Sequence, residues 1–106
     1  QNALAYFYES LEKTKKCYAK NPNHSDIATS LNNIGSVYKS KDDYENALKY
    51  YNEAFEIRQK CYVDNPNHPE IASSLNNIGS VYESKGDFQN ALAYFYESLE
   101  KTKKCY

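Results

Sequence analysis

The residues with the widest chemical repertoire are the three cysteines, Cys17, Cys61 and Cys105, and the two histidines, His24 and His68. Each histidine follows a cysteine by seven positions, which supplies at most half of a four-ligand zinc site. The cysteines recur every 44 residues, a spacing that sets successive copies on equivalent places of successive units, beyond the ~7 Å Cα separation a disulfide spans. They read as thiols that pack helices in a reducing compartment, and the histidines as caps at the start of a helix. No glycine-rich phosphate loop, paired catalytic carboxylate or nucleophile elbow appears. No catalytic residue, metal or cofactor is therefore expected.

Charge excludes further classes. Thirteen Lys and Arg are spread among 14 Asp and Glu for a net charge of −1, whereas nucleic-acid binding needs basic residues gathered on one face. The Lys13–Lys16 run and its copy at Lys101–Lys104 fall late in helical segments, where cations suit the dipole and solvent. No stretch approaches the roughly 20 apolar residues of a membrane span, and no secretion signal is evident. An intracellular, cytoplasmic protein with no membrane contact is expected.

The elements that position these residues follow from repetition. Residues 1–18 recur without change at 89–106, and residues 1–44 match 45–88 at 27 of 44 positions. Self-similarity at such periods marks stacked supersecondary units. The larger unit is a pair of 44-residue repeats, followed by the opening of the next pair.

Within each repeat two helices are predicted. Ile27, Leu31, Ile34 and Tyr38 form one narrow apolar stripe (helix A, 25–41). Tyr44, Ala47, Leu48, Tyr51, Ala54, Phe55, Arg58 and Cys61 keep the same period (helix B, 44–62). Asp43 and Asp87 are placed to cap B, Asp42 and Gly86 to take the tight turn before it. Asn21-Pro22 and Asn65-Pro66 end B, and Pro69 suits the first turn of the next A. The order is B(1–18), A(25–41), B(44–62), A(69–85), B(88–106), with 25–62 and 69–106 as complete repeats in a single array spanning 1–106. The equivalent tyrosines Tyr6, Tyr50 and Tyr94 are expected in the core, and Tyr8 and Tyr96, replaced by Asn52 in the middle copy, partly exposed.

Leu31-x-x-Ile34-Gly35-x-x-Tyr38 with Ala47-x-x-x-Tyr51, and Leu75-x-x-Ile78-Gly79-x-x-Tyr82 with Ala91-x-x-x-Phe95, resemble the tetratricopeptide signature. Leu75-Asn76-Asn77-Ile78-Gly79 and Asn67-His68-Pro69-Glu70-Ile71-Ala72 are similar to the long repeats of kinesin light chains and related proteins. The resemblance implies an all-α solenoid, a right-handed superhelix of antiparallel helix pairs whose A helices line a concave groove that takes a peptide or protein segment.

On helix A the face opposite the apolar stripe is polar. With Thr29 at zero and about 100° per residue, Asn32, Asn33, Ser36, Lys39 and Ser40 lie within about 80° of it, and the apolar stripe lies at about 140–200°. The second copy is Ser73, Asn76, Asn77, Ser80, Glu83 and Ser84. Short amides and hydroxyls can donate and accept, which suits the alternating groups of an extended peptide backbone. Alternatively, Asn33 and Asn77 bond only to neighbouring helices and support stacking. A clamp for terminal carboxylates, which the resemblance also brings to mind, would need cations where Asn32, Ser36, Asn76 and Ser80 stand. Lys39 against Glu83 suggests a ligand of mixed charge.

A second reading is self-assembly. The first and last helices are the same amphipathic segment with no polar cap, so Leu4, Phe7 and Leu11 at one end, and Leu92, Phe95 and Leu99 at the other, are expected to be exposed and to invite homo-oligomers by stacking or helix exchange.

Overall fold

The computed structural model describes residues 3–21 and 24–105, the last without its side chain. Five helices follow one another: α1 (Ala3–Cys17), α2 (Ser25–Ser40), α3 (Tyr44–Cys61), α4 (Pro69–Lys85) and α5 (Phe88–Cys105). They match the expected B-A-B-A-B order, with α1, α2 and α3 each ending one residue early. The expected stop at Pro22, and the terminal residues Gln1, Asn2 and Tyr106 of the B segments, lie outside the described residues.

The helix starts are set by side-chain acceptors. His24 and His68 precede α2 and α4, and each imidazole Nδ1 accepts a backbone N–H, from Asp26 and from Glu70, at 3.0 Å. Asp43 and Asp87 do the same for the B helices, accepting the N–H of Asn46 and of Asn90 at 3.3 Å. Pro69 occupies the first turn of α4, where its missing N–H has no partner to lose. Between A and B the chain turns through the left-handed region, at Gly86 (φ 86°) and at Asp42 (φ 62°). Glycine adopts this conformation freely, and aspartate is among the few side chains that tolerate it.

Each helix packs mainly on its neighbours in the chain, and the molecule measures 35 × 34 × 17 Å. The 17 Å dimension is that of two helix layers about 8–10 Å apart. Within each A–B hairpin a glycine lets the helices meet. A Cβ added at Gly35 would lie 2.8 Å from Tyr51 Cδ1, and one at Gly79 2.9 Å from Phe95 Cε1. Ala28, Ala47 and Ala54 are fully buried beside Ile34 and Ile78, so small residues at the crossings and large ones between them fill the core.

Three expectations are corrected. Cys17 and Cys61 are exposed free thiols and do not pack helices. Each is the last residue of its helix, and the next residue, Tyr18 or Tyr62, covers the loop instead by stacking on His24 or His68 at 3.7 and 3.6 Å. Tyr6 is 68% exposed, unlike its equivalents. Tyr50 stacks on Tyr38 and Tyr94 on Tyr82 from the preceding A helix, and Tyr6 has no such helix beside it among the described residues. Leu4, Phe7 and Leu11 are not an open end. Leu11 is buried in the core with Ile27, Leu31 and Ile34, and Leu4 and Phe7 pack against that cluster. In α5 the equivalent Leu92 and Leu99 are exposed, and Phe95 is half-buried beneath Gly79.

Candidate functional site

α2 and α4 share the stretch Leu-Asn-Asn-Ile-Gly-Ser, at 31–36 and 75–80, whose Asn and Ser residues belong to the polar face. On α2, Thr29, Asn33, Ser36 and Ser40 are exposed and Asn32 and Lys39 half-buried. On α4, Ser73, Asn76, Glu83 and Ser84 are exposed and Asn77 and Ser80 half-buried. The two helices therefore offer a row of short polar side chains opposite their apolar stripes.

Those groups are not equally free. Thr29 donates its hydroxyl to the Ser25 carbonyl at 3.2 Å, a bond within its own helix. Ser36 and the Tyr51 hydroxyl share a hydrogen bond of 2.7 Å. In the next repeat Phe95 replaces Tyr51, and Ser80 donates to its own backbone at the Asn77 carbonyl, 2.8 Å away. Burial pushes the Tyr51 phenol up, and the Ser36 bond partly offsets this.

Asn32 departs most from expectation. Arg58 can only donate, so the hydrogen-bond pattern assigns the Asn32 amide oxygen to its side, and in that orientation the oxygen accepts from both terminal nitrogens of Arg58 at 2.9 and 3.0 Å. Arg58 itself is 6% exposed and runs between the two A helices, where it also donates to the Glu70 carbonyl at 3.1 Å and to Ser74 Oγ at 2.8 Å. Its Nε lies 3.6 Å from the Glu70 carboxylate. Burial lowers the guanidinium below its ordinary value, and the Glu70 charge works against that shift.

The residue that joins adjacent repeats is thus Arg58, bonded to Asn32 in its own repeat and to Glu70 and Ser74 in the next, whereas Asn33, the residue considered for stacking, stays exposed. Arg58 was visible only as a charged member of helix B's apolar period. A charge that persists on a buried stripe is the signal that marks it, because such groups stay buried only when paired.

No cluster of three or more His, Cys, Asp or Glu among the described residues is placed to hold a metal ion. No helix there is long and apolar enough to cross a membrane.

Helix hairpins stacked on their chain neighbours define a helical-repeat solenoid. A family model for the tetratricopeptide repeat matches residues 1–60 and 26–104, and the chain belongs to that family. Repeats of this family serve in general as non-catalytic protein–protein interaction modules. No curated protein matches the chain.

Proposed function

We propose that the chain is an interaction scaffold that holds an extended peptide segment of another protein along the polar face of its A helices. The observation that carries this reading is the exposure of Asn33, Ser36, Ser40, Ser73, Asn76 and Ser84 in two consecutive repeats. A solvated helix face is ordinarily built from Lys and Glu, and short amides and hydroxyls lose little side-chain entropy when a ligand orders them. The similarity to kinesin light chain repeats supports the same binding mode. A cytoplasmic setting fits the two unpaired, exposed thiols.

The test is a peptide selected on the protein from a random-sequence display library. Asn33→Ala combined with Asn76→Ala is expected to weaken it at least about tenfold at unchanged helicity. Equal affinity for both forms would place the peptide elsewhere and remove this reading.

Self-assembly by helix exchange has one observation in its favour. Residues 89–106 repeat the sequence of 1–18, yet Leu92 and Leu99 are 51% and 48% exposed where Leu11 is 5% exposed against α2. Light scattering that stays monomeric over a concentration series would eliminate it.

A further inference from the structure

Asn32 and Asn76 are equivalent in sequence but not in wiring. The difference lies behind the groove, at position 58 and its copy 102. Arg58 reaches across to α2 and α4, whereas Thr102 turns its hydroxyl back to the Ser98 carbonyl at 3.0 Å. The first-repeat counterpart, Thr14, does likewise with the Ser10 carbonyl at 2.8 Å. Only Arg58 among these three has the length and donors to hold an amide on a neighbouring helix.

We propose that Arg58 is a positioning residue that fixes Asn32 as a hydrogen-bond donor toward the groove, so that this repeat receives the acceptor side of a bound peptide. A guanidinium has no acceptor, so it can hold the Asn32 amide only by its oxygen. The NH2 group is then the end that remains for a ligand, and turning it inward would set donor against donor beside a buried charge. A charge-assisted bond to the oxygen also polarises the amide and strengthens its N–H groups as donors. Lys39 lies two turns further along the same side of α2, about 10 Å away along the axis, and it too can only donate. That flank of α2 therefore presents donors at both Asn32 and Lys39, with the Ser36 hydroxyl between them engaged by Tyr51.

The matching flank of α4 is different in kind. Asn76 is exposed with no guanidinium behind it, and Glu83, in place of Lys39, offers only acceptors. The ligand chemistry that fits is a peptide whose backbone carbonyls or acidic side chains face α2 and whose amides or basic side chains face α4. This fixes the direction of the ligand across the two repeats. It rests on the groove reading above and adds to it which groups of the ligand go where.

The test is titration of the 15N-labelled chain with three capped pentapeptides, all-Ala, Ala with a central Asp, and Ala with a central Lys, followed by amide spectra that include side-chain NH2 signals. The Asp peptide is expected to shift the Asn32 NH2 pair most and the all-Ala peptide less. The Lys peptide is expected to shift resonances around Glu83. Asn32→Asp keeps an oxygen for Arg58 and deletes the donor, so it is expected to retain the fold and lose the response to the uncharged all-Ala peptide, which its added charge does not repel, by at least about tenfold. Arg58→Lys, which holds charge without the forked geometry, is expected to weaken it less. Shifts at Ser36, Asn77 and Ser80 with an indifferent Asn32 and an unaffected Asn32→Asp variant would overturn the donor assignment and leave the groove standing. No shift anywhere on α2 or α4 with any peptide would overturn both.

Discussion

The repeats 25–62 and 69–106 share a pair of capping devices and the stretch Asn-Asn-Ile-Gly-Ser on the A helix, yet the groups on their polar faces differ in freedom. In the first, Asn32 is held by Arg58 and Ser36 by Tyr51. In the second, Thr102 and Phe95 stand in those places, Asn76 is exposed and Ser80 bonds within its own helix. Apart from Thr29 against Ser73 and Lys39 against Glu83, the polar faces of α2 and α4 carry the same residues, so much of what distinguishes the repeats lies behind those faces. The B helix behind them decides whether an identical side chain is fixed or free.

The largest effect is expected from giving the first repeat the second's residue. Arg58→Thr removes every partner that the guanidinium offers to Asn32, Ser74 and the Glu70 carbonyl, and should cost about 2–3 kcal/mol in urea unfolding. Thr102→Arg, on the exposed side of α5, should change stability by less than about 0.5 kcal/mol. Near-equal costs would dissolve the contrast between the repeats.

Gly35→Ala and Gly79→Ala should instead cost the same, about 1–3 kcal/mol each, because each new Cβ would meet an aromatic ring and a helix carbonyl 3.3 Å away. A marked difference between them would show that the hairpins themselves, and not just their wiring, have diverged.

Tyr8→Phe comes next. The Tyr8 hydroxyl bonds to those of Tyr38 at 2.8 Å and Tyr50 at 3.0 Å, so its loss should cost about 1–2 kcal/mol. Tyr96→Phe, at the equivalent but 64% exposed position, should be within about 0.5 kcal/mol of neutral. The Tyr8 phenol is pushed above its ordinary 10.0, by burial first and by the two hydroxyl partners second. A raised folded-state value means this contribution is complete below about pH 10 and fades as the pH rises further. The melting temperature should therefore fall less steeply above pH 10 in Tyr8→Phe than in the parent chain. A smaller loss than that of Tyr8→Phe is expected from Tyr51→Phe, which copies Phe95 and removes only the Ser36 bond, about 0.5–1.5 kcal/mol.

Much of the fold was legible because its signals are local. Asp43, Asp87, Pro69 and Gly86 announce helix ends through their own backbone chemistry, and the apolar stripe of Ile27, Leu31, Ile34 and Tyr38 fixes which face turns inward. The site was legible only as a face. A helical wheel places Asn32 and Asn33 on the same polar arc, and nothing in their own positions tells which one a side chain from α3 will reach. That depended on Arg58, whose reach of several bonds carries it between helices where periodicity has no say. Cys17 and Cys61 were misjudged for a related reason: the period places them on the inner stripe, but the last turn of a helix can run past the neighbour that would cover it.

The stacked rings have a practical consequence. The chain contains twelve tyrosines and no tryptophan, so its near-ultraviolet optical activity and emission come from tyrosine. The parallel pairs Tyr38–Tyr50 and Tyr82–Tyr94, with centroids 5.7 and 5.6 Å apart, straddle A and B within each repeat. Their coupled transitions make each hairpin its own chromophore, able to report its opening without a label.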